Sequence, residues 1–446
     1  MFATIFIVCG KVNFSNLSRY SNLSERTYRR QFAEAFDYTR FNSGVIEQAV
    51  STDSRAIAAM DCSFISKSGK QTYGLDYFYN GSASKSEKGL EISVIAIVDV
   101  NTHQGYTLSV QQTAAKASVP VTTKSLAQDK TKPVAQKLAK QNKKASNPSK
   151  KSPGIELPEV TRIDAYLQQL KNTQPYLPKQ VKHVVVDGFY SKEKFVNGVG
   201  ELGLHVVGKL RVDANLCYVF TGEQKLRRKR RKYDGKVDLN DVSRCQFVRD
   251  LAPNLKLYTA VVWHMSLKRQ VRIAYISDIR KPDKVGHVVL FSTDINLSAY
   301  DIYCFYKARF QIEFIFRDAK QFTGLSDCQA RSEYKLDFHF NASLTALNLA
   351  KFEAQQRHQG DQPFVFSMAS YKRLALNDHL LDLFISNFDL EPTLIKSHPN
   401  YEKLRSYRSL IRLCCMKNTW SLLSLGGRYF RNSRHSYPAF PIVSSG

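Results

Sequence analysis

Four side chains that can do chemistry lie at fixed intervals along one predicted helix, and they are Tyr306, Arg309, Glu313 and Lys320. The steps between them are three, four and seven residues. Because an α-helix turns by about 100° per residue, all four side chains fall on one stripe about 60° wide, with Arg317 at its edge. A carboxylate can hold a hard metal cation, whereas arginine and lysine can hold phosphate oxygens. The stripe therefore predicts a metal ligand placed among anion-binding groups.

The other side of this helix is apolar, and it should pack on a sheet through residues such as Phe305, Ile312 and Phe316. A simpler explanation is an amphipathic helix on which Glu313 forms an ion pair one turn away, with Arg309 or Arg317. Such ion pairs explain the charges, but they do not explain the spacing of all four residues.

Aspartates lie within or at the end of predicted buried strands. Asp61 lies within AIAAMDCSFI, Asp187 follows HVVV, and Asp99 follows VIAIV. An unpaired buried carboxylate is costly, so each should be paired, bound to a metal ion or placed at a strand end or turn. Position alone does not choose between Asp61 and Asp99.

Hydrophobic periodicity predicts the elements that must position these groups. Between residues 56 and 113 it predicts an antiparallel meander of four strands, namely AIAAMDCSFIS, QTYGLDYFYN, LEISVIAIVDV and GYTLSVQQT. Residues 160–210 then alternate between helix and strand, with Ser191 as the expected cap of the second helix. This order predicts an α/β fold with an RNase H-like catalytic core, which is a mixed sheet flanked by helices.

The predicted organisation has five parts. They are a helical region at 1–55 with an expected helix-turn-helix, the first part of the catalytic core at 56–210 with a basic loop at 121–153, a β-rich insertion at 211–285, the second part of the core with the glutamate helix at 286–355, and a helical region with a basic tail at 356–446. The insertion contains strand-like runs and no strong helical pattern.

The chain is strongly basic, with 65 lysines and arginines against 39 aspartates and glutamates, and its net charge is +26. Such an excess indicates a polyanionic partner, with nucleic acid ahead of an anionic membrane surface. No apolar run approaches the roughly 20 residues of a membrane helix, which further favours nucleic acid. The basic candidates for DNA contact outside the stripe are Arg26, Arg29 and Arg30 near the N-terminus and Arg227, Arg228, Lys229, Arg230 and Arg231 in the insertion.

The spacing Y-x2-R-x3-E-x6-K resembles the signature of the DDE transposases of the insertion-sequence-four family. This chain matches the signature at Tyr306, Arg309, Glu313 and Lys320. The wider resemblance covers roughly residues 56–350 and includes the segments around Asp61 and Asp187. It implies the catalytic triad Asp61, Asp187 and Glu313, and it selects Asp61 over Asp99.

The resemblance also implies a chemistry. The triad would hold two Mg²⁺ ions, for which Mn²⁺ should substitute, and would transfer phosphoryl groups of DNA. Arg309 and Lys320 would then hold DNA phosphates, with Tyr306 and Arg317 beside them. The expected protein is the transposase of a bacterial insertion sequence, which binds terminal inverted repeats, cleaves the element's ends and transfers their 3′ ends to target DNA.

The expected partners are terminal repeat DNA, target DNA and a second copy of the chain in a synaptic homodimer, without a membrane. None of the eight cysteines forms a C-x-x-C pair, so the pattern predicts no structural zinc and suits a reducing cytoplasm, where the protein would be associated with the nucleoid. Two alternatives remain open. One is an RNase H-like structure-specific nuclease or resolvase that cuts without joining, and the other is a non-enzymatic DNA-binding protein derived from a transposase.

Overall fold

The computed structural model describes residues 1–113, 161–224, 230–279, 286–358 and 364–409. Within them the helices are α1 (Phe2–Ile7), α2 (Phe14–Arg19), α3 (Glu25–Gln31), α4 (Tyr38–Ala49), α5 (Arg162–Thr173), α6 (Glu193–Glu201), α7 (Ala299–Ala308), α8 (Gln311–Phe322), α9 (Glu333–Gln356), α10 (Met368–Asn387), α11 (Pro392–Ser397) and α12 (Pro399–Arg405). The strands are β1 (Ala56–Ser66), β2 (Asp76–Asn80), β3 (Lys85–Asp99), β4 (Gln104–Gln112), β5 (His183–Val185), β6 (His205–Lys209), β7 (Leu216–Val219), β8 (Tyr233–Lys236), β9 (Gln246–Ala252), β10 (Leu255–His264), β11 (Arg269–Asp278) and β12 (Gly286–Ser292).

The chain divides into two compact units. The first consists of Met1–Val185, Lys192–His205 and Arg309–Leu349. The second consists of Val186–Ser191, Val206–Ala308 and Ala350–Gly446. The domain boundaries expected from the sequence stay a prediction.

The first unit is built on the long strand β3. One edge of β3 pairs antiparallel with the whole of β1, from Ala56 opposite Asp99 to Ser66 opposite Gly89. The other edge pairs with β2 near the start of β3 and with β4 from Ile92 onward. The strand is buried from Gly89 to Asp99, as expected when helices and loops cover both faces of a sheet.

The sheet of the first unit is mixed, because β1 also pairs with β5 and this pairing is parallel. Ala58 lies opposite Val184 in the parallel pair. The order β4, β3, β1, β5 therefore has antiparallel neighbours first and a parallel neighbour last. This mixed sheet, flanked by helices, confirms the predicted α/β, RNase H-like fold class.

Three helices of the first unit, α4, α5 and α8, pack against β4, and α8 also contacts β1. Their buried faces are apolar, and Ile46, Leu170 and Ile312 are all fully buried. Burial of an aliphatic side chain of this size stabilises the fold by about 1.5–3 kcal/mol. The apolar face of α8 therefore holds this helix against the strand that carries Asp61.

The predicted pair of short N-terminal helices is present as α2 and α3. Asn13 caps α2 and Ser24 caps α3, each through a side-chain oxygen that accepts a backbone N–H of the first turn. Tyr28 of α3 is fully buried, and its hydroxyl forms hydrogen bonds with Thr4 and Ser21. These bonds fasten α3 to the chain that precedes it.

The second unit contains an antiparallel sheet with the order β6, β12, β11, β10, β7, β8, and β9 pairs with β10 as well. Between residues 211 and 279 its described part contains strands and no helix, in agreement with the β-rich region predicted there. Helix α7 packs on β10, β11 and β12.

The sequence predicted one helix around Glu313, and this prediction is wrong because the structure contains two helices there. Helix α7 ends at Ala308 and α8 begins at Gln311. At the junction the Ile312 N–H donates to the Arg309 carbonyl at 3.0 Å, and the Glu313 N–H donates to the Phe310 carbonyl at 3.1 Å. These bonds span three residues instead of four, so the backbone forms a tighter turn at this point. The single straight stripe expected from the sequence is therefore interrupted.

Two further local predictions are wrong. Strand β2 begins only at Asp76 and pairs with β3, not with β1, so the strands do not form a simple meander. Ser191 does not cap α6, whose N-cap residue is Lys192. The Ser191 hydroxyl instead donates at 3.0 Å to the carbonyl of Lys209, the last residue of β6 and 18 residues further along the chain.

Some predicted features lie outside the described residues, and they are the basic loop 121–153, Arg227, Arg228, Lys229 and the tail from residue 410. None of the helices in the described ranges is long and apolar enough to span a membrane.

Candidate active site

Asp61 and Glu313 are held together by one arginine in the first unit. Asp61 lies in the middle of β1, and Glu313 lies in the first turn of α8, which packs against that strand. Arg309 donates through Nη1 to Asp61 Oδ2 at 3.0 Å and through Nη2 to Glu313 Oε1 at 2.9 Å. One guanidinium thus brings together two carboxylates from distant parts of the chain.

The three side chains of this cluster are buried to different degrees. The exposed fraction is 7% for Arg309, 21% for Asp61 and 43% for Glu313. A buried guanidinium needs anionic partners, because an uncompensated charge away from water costs several kcal/mol. Two neighbouring carboxylates in turn repel each other unless a cation lies between them. Arg309 satisfies both requirements.

Lys320 ties α8 to β1 near the other end of the helix. Its Nζ donates to the carbonyl oxygen of Phe64 at 3.0 Å, three residues beyond Asp61 on the strand. Burial lowers the pKa of Lys320, because the ammonium form loses hydration. The phosphate contact expected of this lysine stays a prediction, since its partner in the structure is a strand carbonyl.

A glycine on β4 lets α8 approach the sheet closely. A Cβ atom at Gly105 would lie 3.0 Å from Gln311 Cβ and 3.3 Å from Ile315 Cδ1. Contacts that short would require the helix or its side chains to shift. Because Glu313 lies between these two helix residues, Gly105 helps to set the position of the carboxylate. Sequence reasoning missed this residue, although a glycine in a strand often marks close approach by another segment.

Sequence position alone did not choose between Asp61 and Asp99, but the structure gives the two aspartates different surroundings. Asp99 is buried at the end of β3, and its Oδ1 accepts the backbone N–H groups of Asn101 at 2.8 Å and Thr102 at 3.3 Å. These are the bonds of an aspartate that stabilises a turn. Asp61 instead accepts a hydrogen bond from Arg309 and stays partly exposed, so solvent can reach its carboxylate.

Asp187 belongs to the second unit, where it begins a turn. It precedes the short 3₁₀ helix Gly188–Tyr190, and its Oδ1 accepts the backbone N–H of Phe189 at 2.9 Å. Over the described ranges, no group of three or more histidine, cysteine, aspartate or glutamate side chains is arranged to hold a metal ion. The assembly of Asp187 with the other two carboxylates therefore stays a prediction.

The donor set of the first unit fits Mg²⁺. This cation prefers oxygen ligands, and proteins usually supply them from one or two carboxylates, with water and substrate phosphate completing the set. Asp61 and Glu313 are two such carboxylates, both partly exposed and both paired with the same guanidinium, whose single charge balances only one of them.

The residues expected to contact DNA differ in their accessibility. Tyr306 is only 3% exposed within α7 of the second unit, and this burial gives no support to a DNA contact. The Arg317 side chain is 55% exposed, and its Nε donates to Asp318 at 2.9 Å. In the β-rich region Arg230 is exposed, while Arg231 forms an ion pair within its own hairpin.

The basic face of α3 is open to solvent. Arg26, Arg29 and Arg30 are all exposed. Arg29 forms an ion pair with Glu25 one turn away. Neither Arg26 nor Arg30 forms an ion pair with any residue that the structure describes, so these two keep the charge that a DNA phosphate would need.

The fold and the site together define the class of protein. It is that of RNase H-like α/β proteins, with paired carboxylates on a central strand and on the helix packed against it. A family model described as DDE superfamily endonuclease matches residues 17–246, just over half of the chain. This chain belongs to that family. A second model, described as transposase DDE domain, matches residues 158–349 and supports a transposase function.

The two matches differ in which carboxylates they include. The first spans Asp61 and Asp187, and the second spans Asp187 and Glu313. Together they include every member of the predicted triad. Among curated proteins, none matches the chain.

Proposed function

We propose that this chain is the transposase of a bacterial insertion sequence of the insertion-sequence-four family. It would bind the terminal inverted repeats, cleave the ends of the element and transfer the 3′ ends to target DNA. The two DDE family matches support the general class. The proposal for this family rests in addition on the signature residues Tyr306, Arg309, Glu313 and Lys320.

The observation that carries the proposal is the shared arginine. Asp61 and Glu313 both accept hydrogen bonds from Arg309, at 3.0 Å and 2.9 Å, and both stay partly exposed. A structural ion pair needs only one carboxylate for one guanidinium. A second carboxylate at the same cation places two oxygen ligands at one point, which is what phosphoryl transfer with divalent cations requires.

The residues that would hold Mg²⁺, or Mn²⁺ in its place, are Asp61, Glu313 and Asp187. Bound cations would activate the attacking oxygen and stabilise the leaving oxygen of a displacement at phosphorus. Arg309 keeps the two carboxylates of the first unit close together before substrate arrives. Lys320 keeps α8 in place on β1 through the Phe64 carbonyl.

Cutting and joining together distinguish a transposase from the alternatives. The test uses the full chain, Mg²⁺, a labelled duplex that carries the inverted repeat flanking the coding region, and a supercoiled plasmid as target. The proposal predicts cleavage at the repeat end and covalent joining of its 3′ end to the plasmid. Cleavage without joining would identify a structure-specific nuclease or resolvase. Specific binding without cleavage in Mg²⁺ or Mn²⁺ would identify a non-enzymatic DNA-binding protein.

The expected synaptic homodimer can be tested with the same duplex. Complexes assembled with two lengths of repeat DNA should give a species that contains both lengths. If every complex contained only one duplex and one chain, the dimer would be excluded.

A further inference from the structure

A strongly basic cavity lies in the first unit, beyond the end of β1. Its volume is about 950 Å³, which is in the range of ligand sites. Four cationic side chains line it, and they are Lys67, Lys70, Lys88 and Arg331. The other lining residues include serines and Gly69 but no aspartate or glutamate. We call this feature the basic cavity.

The nearest carboxylates to the basic cavity pair with other groups: Glu333, two residues after Arg331, interacts with the Tyr73 hydroxyl. Glu87, next to Lys88 on β3, pairs with Lys85 at 3.0 Å and accepts a hydrogen bond from Asn80 at 2.6 Å. Within the described ranges, neither Lys88 nor Lys70 nor Arg331 forms an ion pair. Like charges gathered without counter-ions repel one another, so the basic cavity should bind an anion.

The walls of the basic cavity are built by hydrogen bonds between its segments. Lys67 Nζ donates to the carbonyl of Cys328, which links the end of β1 to the segment after α8. The Tyr73 N–H donates to the Arg331 carbonyl at 2.9 Å. Burial lowers the pKa of Lys67, and the nearby Arg331 acts in the same direction. The cations are therefore held close together by the fold.

The basic cavity lies at the end of β1, the strand that carries Asp61. Ser66, where the lining begins, lies five residues after Asp61 along the extended strand, a distance of about 16 Å. Along one strand of duplex DNA, this length corresponds to about five nucleotides at 3.4 Å each. A DNA strand that follows β1 away from the paired carboxylates would bring its backbone to these cations.

We infer that the basic cavity binds the phosphodiester backbone of the DNA substrate, about five nucleotides from the point of cleavage. This inference rests on the proposed function, because it takes the substrate to be DNA cut beside Asp61. Lys70, Lys88 and Arg331 contact the phosphates, and Lys67 supports the wall through its bond to Cys328.

The test compares two triple variants of the full chain that lose equal charge. One is Lys70→Gln, Lys88→Gln, Arg331→Gln. The matched control is Lys171→Gln, Lys179→Gln, Lys182→Gln. All three control lysines are exposed in the first unit, and Lys182 lies near the start of β1, level with Ala56 by the parallel register.

Binding to the repeat-containing duplex is measured at several salt concentrations. Three lost phosphate contacts should make the slope of log K against log salt shallower by about 2.7, because each contact contributes about 0.9. The affinity of the cavity variant should fall at least about tenfold. The control variant should change its slope by less than about 1. Ethylation of single phosphates about five nucleotides from the cut should weaken binding of the wild type and leave the cavity variant unaffected.

Two results would overturn the inference. An unchanged slope in the cavity variant would exclude DNA contact there. Saturable binding of inorganic phosphate or ATP that only the cavity variant loses, with DNA binding intact, would assign the cavity to small phosphate compounds. Failure of the proposed function is a separate outcome, because it would appear as absence of Mg²⁺-dependent cutting and joining in the wild type.

Discussion

Replacing Arg309 by glutamine removes the cation that Asp61 and Glu313 share. The bond to Asp61 is largely buried, and losing a charge-assisted hydrogen bond of this kind costs about 1.5–3 kcal/mol. The bond to Glu313 is 43% exposed on the carboxylate side, so solvent screening reduces its share to about 0.2–1 kcal/mol. The expected loss is therefore about 2–4 kcal/mol. For a unit of about 150–250 residues, this lowers Tm by roughly 4–16 °C.

The assay is thermal unfolding of the wild type and of four variants, with and without Mg²⁺, namely Arg309→Gln, Arg317→Gln, Glu313→Gln and the double variant Arg309→Gln, Glu313→Gln. Arg317→Gln is the control, because its side chain is 55% exposed and its loss should cost less than about 0.5 kcal/mol. The double variant Arg309→Gln, Glu313→Gln should recover about 1 kcal/mol, since it also removes the repulsion between carboxylates. Mg²⁺ should stabilise Arg309→Gln more than the wild type, because the cation no longer competes with a guanidinium.

Two findings would contradict this role of Arg309. If Arg309→Gln were as stable as Arg317→Gln, the hydrogen bonds of Arg309 to the two carboxylates would contribute nothing measurable to stability. If Arg309→Gln lost its response to Mg²⁺ as fully as Glu313→Gln, the arginine would be part of the metal site and would not compete with it.

Three further predictions concern the position of α8, the titration of Lys320 and the exposed arginines of α3. Gly105→Val should destabilise the fold by about 1–3 kcal/mol and reduce cleavage without weakening DNA binding. Gly81→Ala, which has open space around it, should change neither stability nor cleavage. Equal effects at the two sites would contradict the role of Gly105 in positioning α8. Burial lowers the pKa of Lys320 in the folded protein below its ordinary 10.5. Between the folded pKa and 10.5 the unfolded chain holds more protons, so the free energy of unfolding should rise with pH in that range. The Lys320→Met variant should lack this rise, and an equal rise in the variant would contradict the prediction. Arg26→Gln with Arg30→Gln should make the salt slope of DNA binding shallower by about 1.8, and an unchanged slope would make α3 a solvated surface.

The strands of the first unit were largely predictable from the sequence, because apolar runs of this length are typical of buried strands. The predicted run AIAAMDCSFIS is β1 from its first residue to its last. The pairing of β2 with β3 was not predictable, since the loop before Asp76 carries no periodic signal. Register and partner choice depend on contacts between distant segments, which a local pattern does not contain.

The site was predictable in residue type and less so in arrangement. The spacing of Arg309, Glu313 and Lys320 singled out α8, but periodicity could not show the turn that separates it from α7. The turn keeps right-handed backbone angles, with φ −56° and ψ −19° at Phe310, so the apolar pattern continues across it. The partners of Arg309 and Lys320 lie on β1, and only the folded chain brings them together.

The chemistry of the predicted triad is the central claim, and Mg²⁺-dependent nicking of the repeat-containing duplex tests it most directly. Asp61→Asn, Asp187→Asn and Glu313→Gln each remove a ligand charge with little change in side-chain size, and Asp99→Asn is the matched control. We predict that the first three abolish nicking while DNA binding persists, and that Asp99→Asn lowers stability but still nicks. Nicking at the wild-type rate by any of the three would remove that residue from the triad, and loss of nicking in a folded Asp99→Asn would contradict the choice of Asp61.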